Sequence, residues 1–198
     1  MFDVQFARRQ MIEQQVRAWE VLDARVLEIL QRVPREAFVP AAFREIAFAD
    51  TEVPIGHGQT ILPPKLEGRI LQALEIQPGD RALEVGTGTG FFAACLGQLA
   101  RSVRTVDLYA DFVDGAREAW RSSGVHNVEG AVQDAMQLAE REAYDVIALT
   151  GSLPVYDARF ERALAVGGRL FVAVGTGPMV EARLDTRVGA DEWTRTSL

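Results

Sequence analysis

The chain has 198 residues, 48% of them hydrophobic and 25% charged, so it is long enough to bury a core within one domain. Its 28 acidic and 21 basic residues give a net charge of −7, which argues against tight nonspecific binding to nucleic acid phosphates. The single cysteine, Cys95, excludes an internal disulfide, and the chain shows no apolar run typical of a signal peptide or a membrane span. We therefore expect a soluble, cytoplasmic protein.

The first 79 residues predict a helical extension. Residues 3–18 have weakly amphipathic helical spacing, and Asp23 is placed to cap a second helix that Pro34 ends. Residues 51–64 are rich in glycine and proline, which predicts a rigid loop with many hydrogen-bond donors. This loop leads into a helix that carries Leu66 and Leu74.

From residue 80 onward, short apolar runs alternate with helical segments. Strands are predicted at 81–85, 103–106, 128–132, 144–149 and 169–174, and helices at 90–99, 110–122 and 156–164. This alternation predicts an α/β fold, namely a Rossmann-like, doubly wound, mostly parallel sheet with an N-terminal helical extension in one compact domain. Residues 179–188 are a further candidate strand and 192–198 could begin another, but the sequence does not show which strand closes the sheet.

The most informative motif is Leu83-Glu84-Val85-Gly86-Thr87-Gly88-Thr89-Gly90, at the exit of the first of these strands. Glycines there allow positive φ and a close approach of a ligand to the backbone. A dinucleotide-binding turn would need its third glycine at position 91, which is Phe91. The Glu84 carboxylate would repel a pyrophosphate but suits the cationic methionine end of S-adenosylmethionine. The motif therefore favours this cofactor over a glycine-rich turn without a ligand.

Acidic residues follow the next two strands. Asp107 lies 19 residues beyond Gly88, where it can accept hydrogen bonds from both ribose hydroxyls or cap the next helix. Asp134 can reach an adenine amino group or serve as an ordinary turn residue. His57 could act as a base, although a surface position in its loop is the favoured interpretation. No cluster of His, Cys, Asp or Glu has the spacing of metal ligands, so no metal site is predicted.

Further motifs occur along the chain: Arg9-x-Met11, Val33-Pro34-Arg35-Glu36-x-Phe38-Val39-Pro40, Ala47-x-x-Asp50, Pro54-Ile55-Gly56-x-Gly58-Gln59-Thr60-Ile61, Tyr144-Asp145-x-Ile147 and Gly167-Gly168-Arg169-Leu170. Together with the glycine loop, they resemble the protein-L-isoaspartate O-methyltransferase family, which belongs to the class I S-adenosylmethionine-dependent methyltransferases. The resemblance runs from about residue 9 to about residue 175. The N-terminal motifs are more specific than the glycine loop, which many methyltransferases share.

The resemblance implies a cytoplasmic repair enzyme that methylates the abnormal α-carboxylate of L-isoaspartyl or D-aspartyl residues in damaged proteins and releases S-adenosylhomocysteine. Its partners would be proteins or peptides that carry such residues, and neither nucleic acid nor membranes. Residues 80–198 would form the cofactor-binding core, and residues 1–79 the helical extension with the substrate-side loop. A nucleic-acid methyltransferase is disfavoured because Thr150 is followed by Gly151-Ser152-Leu153-Pro154 rather than Asn/Asp-Pro-Pro-Tyr/Phe.

The resemblance also implies roles for individual residues. Gln59 and Thr60 would line the cleft between cofactor and substrate, and Leu62 occupies the position of a family serine at the active centre. The glycine loop would hold the methionine portion, Asp107 the ribose, and Asp134 with Ala135 the adenine. The full set expected to contact the cofactor is Gln59, Thr60, Glu84, Val85, Gly86, Thr87, Gly88, Asp107, Leu108, Asp134 and Ala135.

The sequence departs from the family pattern at three points. Leu62 replaces the serine, Gln133-Asp134-Ala135 replaces Gly-Asp-Gly, and the chain ends at Leu198, before the family's usual closing strand. Because the acceptor carboxylate has a pKa of about 4 and is already ionised, the reaction needs no general base. Losing one hydroxyl should therefore weaken the activity without abolishing it. A methyltransferase of a different acceptor, or a catalytically weak cofactor-binding paralogue, stays open as an alternative.

Overall fold

The computed structural model describes residues 3–198. Its α-helices are α1 (Val4–Met11), α2 (Ala24–Arg32), α3 (Arg35–Phe38), α4 (Pro64–Ala73), α5 (Phe91–Leu99), α6 (Ala110–Ser122) and α7 (Arg159–Ala163). Its strands are β1 (Val53–Gly56), β2 (Gln59–Ile61), β3 (Arg81–Val85), β4 (Ser102–Asp107), β5 (Val128–Val132), β6 (Tyr144–Leu153), β7 (Leu164–Thr176), β8 (Met179–Arg187) and β9 (Trp193–Ser197).

Strands β3 to β9 form one sheet in the order β5-β4-β3-β6-β7-β8-β9. The pairs from β5 to β7 are parallel, and β8 and β9 are each added antiparallel to their neighbour. This confirms the predicted α/β class with a mostly parallel, doubly wound sheet. It also shows how the sheet ends, since β9 is the edge strand next to β8.

The later elements differ in length from the prediction. β6 continues beyond residue 149 because Ser152 and Leu153 still pair with β7, and β7 begins at Leu164 rather than at residue 169. The helix predicted at 156–164 is shorter than expected. The Asp157 carboxylate accepts the backbone N–H of Arg159, which forms a turn where the helix was expected to begin.

The N-terminal extension is helical but less regular than predicted. Asp3 caps α1 by accepting the N–H of Phe6, after which the chain continues as a π-helical turn at Ile12–Val16 and a 3-10 turn at Arg17–Trp19. Glu20 then takes a left-handed conformation with φ of 60° and ends the segment. The predicted cap of the second helix is correct, since Asp23 accepts the N–H of Arg25 at the start of α2.

Residues 51–64 were expected to be a loop, and this prediction is wrong at Val53–Gly56 and Gln59–Ile61, which are strands. β1 and β2 pair antiparallel as a short hairpin, with Val53 opposite Ile61 and Pro54 opposite Thr60. β1 has four residues, of which two are proline and glycine, and β2 has only three residues, so their sequence carries little strand signal. The hairpin precedes α4, whose first residue is Pro64.

Apolar side chains are buried on both faces of the sheet. The first cluster joins the N-terminal helices to α5 and includes Met11, Leu30, Leu71 and Leu96, and it also contains the free thiol of Cys95. The second lies beneath α7 and includes Leu83, Ile147, Leu149, Phe160 and Leu170. Of the helices within residues 3–198, none is both long and apolar enough to cross a bilayer.

Candidate active site

The carboxyl ends of β3, β4, β5 and β6 open onto one cleft of about 310 Å³. It lies where the strand order reverses between β3 and β6, which is where open α/β sheets bind ligands. The β1–β2 hairpin and the start of α6 supply its remaining walls. The predicted residues that line this cleft are Gln59, Thr60, Val85, Gly86, Gly88, Asp107, Leu108, Asp134 and Ala135.

A smaller cavity of about 50 Å³ adjoins this cleft on the side of α4 and α5. It is lined by the three remaining predicted residues, Leu62, Glu84 and Thr87, and it shares Thr60 and Gly86 with the main cleft. The structure therefore brings every predicted site residue to one region. They converge because they follow strands that end at the same edge of the sheet, or belong to the hairpin that covers it.

Two glycines of the loop are required by the packing around them. Gly86 has φ of 104°, and a Cβ atom there would lie 2.5 Å from Oγ1 of Thr150. Gly90 has φ of 83°, and a Cβ there would lie 2.7 Å from Nε1 of Trp120, which donates a hydrogen bond to the Gly90 carbonyl. The loop backbone can thus lie against β6 and α6 only when these positions carry no side chain.

Glu84 is a buried acid at the base of the smaller cavity, with 1% of its surface exposed. Thr105 donates a hydrogen bond of 2.6 Å to Oε2 of Glu84, and the hydroxyls of Thr105 and Thr87 are 2.8 Å apart. Burial raises the pKa of Glu84 well above its usual value, the Thr105 hydrogen bond lowers it, and the acidic groups of Asp107 and Glu67 raise it further. A cation bound beside this carboxyl would relieve the cost of its ionisation.

Asp107 joins the glycine loop to the turn before α6. Its Oδ2 accepts the N–H of Gly88 at 3.0 Å, and its Oδ1 accepts the N–H of Tyr109 at 3.1 Å. The N-cap of α6 is Tyr109, so the alternative that Asp107 caps this helix is wrong. Each carboxylate oxygen keeps a further lone pair for a ligand hydroxyl, because an ionised carboxylate has about four acceptor positions.

Asp134 also has a local role in addition to its position in the cleft. Its Oδ1 accepts the N–H of Met136 at 2.8 Å and caps a 3-10 turn at Ala135–Gln137. Its neighbour Gln133 accepts a hydrogen bond of 2.6 Å from Arg104, which also forms an ion pair with Glu140. This segment is thereby held at both ends against β4.

Within the chain from residue 3 onward, no group of three or more His, Cys, Asp or Glu side chains is arranged to hold a metal ion.

Comparison with known proteins identifies the family of this chain. Residues 7–191 match the family model of protein-L-isoaspartate (D-aspartate) O-methyltransferase. The chain belongs to this family. A protein-L-isoaspartate O-methyltransferase from Koribacter versatilis is 38% identical over 192 residues, which cover 96% of this chain and 86% of the relative. A protein of the same name from Methanoculleus marisnigri is 40% identical over 169 residues, or 85% and 77% of the two chains.

Solved structures agree on the fold. A crystal structure from Plasmodium falciparum, described as a protein-L-isoaspartate O-methyltransferase in complex with S-adenosyl-L-homocysteine, superposes with a TM-score of 0.81 at 19% identity. The superposition covers 100% of this chain and 95% of that one. The predicted resemblance to the isoaspartate methyltransferase family is confirmed by the family model and the relatives. The prediction that the chain is an S-adenosylmethionine-dependent protein methyltransferase is confirmed with it.

Leu62, at the position where the resemblance implies a family serine, has a half-buried side chain that packs against the N-terminal core. Its carbonyl accepts a hydrogen bond of 2.8 Å from the fully buried guanidinium of Arg35. The same guanidinium forms an ion pair with Glu67 and lies 4.8 Å from the centre of the Phe91 ring. The backbone that carries Leu62 is therefore held in place by the buried guanidinium of Arg35.

Sequence reasoning missed several residues that shape the site. Arg35 was noted only as part of a family motif, and Glu67 was not noted at all. Burial raises the pKa of Glu67 to about 7, although Arg35 acts in the opposite direction. Thr105 and Thr150 were also missed. For Thr150, the signal is a hydroxyl directly after the apolar run 146–149, whereas Thr105 lies in a strand of mixed polarity and carries no such signal. No comparable signal marks Tyr109, whose role depends on the hairpin.

Proposed function

We propose that this chain transfers a methyl group from S-adenosylmethionine to the free carboxylate of L-isoaspartyl or D-aspartyl residues in damaged proteins and peptides. The proposal is supported by the family assignment and by the cleft at the carboxyl ends of the parallel strands. It includes a role in protein repair in the cytoplasm. The net charge of −7 supports protein rather than nucleic acid as the substrate.

The residues of the cleft fit the proposed cofactor. The single observation that carries this assignment is Glu84, a buried carboxyl whose charged neighbours in the site, Asp107 and Glu67, are also acidic. A ligand ammonium would supply the counter-charge that the fold does not place there. When bound, S-adenosylmethionine supplies a methyl group made electrophilic by its sulfonium.

The other roles follow from position in the cleft. We assign Glu84, Val85, Gly86, Thr87 and Gly88 to the methionine portion, because they surround the smaller cavity and the floor of the cleft. The ribose is assigned to Asp107 with Leu108, and the adenine to Asp134 with Ala135 at the far end. The order along the cleft follows the strand order β3, β4 and β5.

The acceptor is proposed to enter beside β2. Gln59 and Thr60 line the cleft there, and Leu62 lies at the adjoining cavity. Because a carboxylate is ionised at neutral pH, these residues need only orient the acceptor oxygen and exclude water. Leu62 cannot donate a hydrogen bond to the acceptor, so orientation falls to the amide of Gln59, the hydroxyl of Thr60 and the backbone N–H groups of the hairpin.

The test uses labelled S-adenosylmethionine with an isoaspartyl peptide and its normal aspartyl twin. We expect base-labile methyl ester on the isoaspartyl peptide only. Binding of S-adenosylhomocysteine without transfer to either peptide would overturn the proposed acceptor and leave the cofactor assignment standing. Equal transfer to both peptides would show that the enzyme does not recognise the isoaspartyl linkage.

A further inference from the structure

The tip of the β1–β2 hairpin rests on the start of α6, on the far side of the cleft from α4. The hairpin contributes Ile55, Gln59 and Thr60 to the wall of the cleft. Its two strands meet at a tight turn in which His57 has a left-handed conformation, with φ of 50°. The position of His57 in the family motif, between two glycines, is the one that the motif leaves unspecified.

His57 makes three separate contacts with residues 109–112. Its ring is stacked on the Tyr109 ring, with the centroids 3.9 Å apart and the planes 8° from parallel. It meets the edge of Phe112 at 5.2 Å. Its Nε2 lies 3.0 and 3.1 Å from the two carboxylate oxygens of Asp111. The side chain of His57 therefore attaches the hairpin tip to the start of α6.

The same segment of α6 is bound to the proposed ribose site. The backbone N–H of Tyr109 donates to Asp107, and the other oxygen of that carboxylate accepts the N–H of Gly88. Tyr109 thus touches His57 with its ring and holds Asp107 with its backbone. Any movement of the hairpin tip away from α6 breaks the stack and opens the cleft above the ribose position.

We propose that His57 is a positioning residue that latches the β1–β2 hairpin onto α6 and sets how fast the cofactor product leaves the cleft. The latch acts on cofactor residence, because the hairpin must lift before a ligand held under Ile55, Gln59 and Thr60 can depart. Methyl transfer takes place while the hairpin is closed. Because the closed state stays the major one even when the latch is weakened, the rate of methyl transfer should change little. This inference rests on the proposed cofactor site.

The first experiment needs no cofactor. We expect hydrogen–deuterium exchange of residues 53–61 to become about 5- to 30-fold faster in His57→Ala, as the loss of one aromatic stack and one exposed hydrogen bond suggests. His57→Phe keeps a ring for Tyr109 and should show an intermediate rate. The control is His126→Ala, since His126 is the only other histidine of the chain and is exposed before β5, at the opposite end of the sheet. Unchanged exchange in His57→Ala would overturn the latch.

The second experiment measures S-adenosylhomocysteine release by stopped flow. In His57→Ala the dissociation rate constant should rise by a similar factor of about 5 to 30, while the single-turnover methylation rate at saturating cofactor changes less than about 3-fold. A single-turnover methylation rate that falls by more than about 3-fold would mean that His57 acts on the chemical step and would overturn the proposal, as would an unchanged dissociation rate. If the wild-type chain failed to bind S-adenosylhomocysteine, the proposed cofactor site would fail, whereas the exchange result would still report on the latch.

Discussion

The hydroxyl of Thr105 on β4 donates a hydrogen bond of 2.6 Å to the carboxyl of Glu84 on β3, within a site from which water is almost excluded. The two residues are opposite each other in the parallel register of the sheet. Hydrogen bonding by Thr105 opposes the effect of burial, but burial is the larger cause and the pKa of Glu84 stays well above its usual value. A cation bound beside Glu84 would therefore stabilise the ionised form of this buried carboxyl.

Replacing Glu84 by glutamine should weaken cofactor binding without unfolding the protein. Glutamine keeps the shape and can still bond Thr105, but it removes the charge that would pair with the ligand ammonium. We expect the Kd of S-adenosylhomocysteine at pH 8 to rise about 10- to 150-fold, the cost of losing a hydrogen bond to a charged group. Isothermal titration calorimetry measures this change.

The same titration tests the charge of Glu84 directly. If the carboxyl is protonated before binding, the wild type releases a proton when the ligand ammonium enters, and the apparent enthalpy depends on the buffer. The Glu84→Gln variant should lose this dependence. Glu118→Gln, an exposed position on α6, is the matched control and should behave as the wild type. Unaltered affinity in Glu84→Gln would contradict the assigned role.

The contribution of Glu67 to the stability of the cofactor-free protein should fall as the pH rises from about 4.5 to 7. Burial raises the pKa of Glu67 to about 7 in the folded state, so over this interval the folded protein binds more protons than the unfolded chain. The contribution of Glu67 to stability is thus fully present below its pKa in the unfolded chain, and it is lost as the pH rises through its pKa in the folded protein. The change should be at most about 3 kcal/mol.

Urea unfolding at pH 5 and pH 8 measures this effect. The Glu67→Gln variant resembles the protonated side chain, so its stability should vary less between the two pH values than that of the wild type. Glu118→Gln again serves as the control, because its side chain is exposed on α6. The prediction is wrong if Glu67→Gln and the wild type lose the same free energy of unfolding between pH 5 and pH 8.

Leu62→Ser should increase the activity towards an isoaspartyl peptide. A hydroxyl restored next to the cleft can donate to the acceptor carboxylate, and a hydrogen bond to a charged group contributes about 1.5–3 kcal/mol. We expect the KM for the peptide to fall by about 10-fold or more, with a smaller effect on the KM for the cofactor. Initial rates with labelled S-adenosylmethionine measure both.

The matched variant is Leu62→Ala. It removes the same half-buried packing against the N-terminal core without adding a hydroxyl. Both variants should lose a similar free energy of unfolding, and only Leu62→Ser should gain activity. A gain of the same size in Leu62→Ala would show that the leucine side chain obstructs the acceptor, and that the missing hydroxyl is not the cause.

Gly86→Ala should destabilise the protein and abolish cofactor binding. The new Cβ would lie 2.5 Å from Oγ1 of Thr150, at a residue with φ of 104°, so the loop must move away from β6. We expect a loss of about 1–3 kcal/mol in the free energy of unfolding. Gly115→Ala is the control, because a Cβ there meets no atom within 4 Å and alanine favours a helix by about 1 kcal/mol. Equal stability of the two variants would contradict the packing argument.

Much of the fold and half of the site could be predicted from local patterns. The alternation of apolar runs and helices indicated the parallel sheet, and the spacing from Gly88 to Asp107 identified two residues that the structure joins by a hydrogen bond. These predictions succeed because residues that follow successive parallel strands must meet at the same edge of the sheet. The hairpin at 53–61 was missed because both strands are short and β1 contains proline and glycine, which strands disfavour.

The parallel part of the sheet, the glycine loop and the family could all be predicted from the sequence, because each depends on neighbours within a few residues or on a regular spacing. The contacts that hold the acceptor side could not be predicted in this way. Arg35 reaches the Leu62 carbonyl across 27 residues, and His57 reaches Asp111 across 54. Such contacts form when separate elements pack together, and the side chains that make them follow no periodic pattern along the chain.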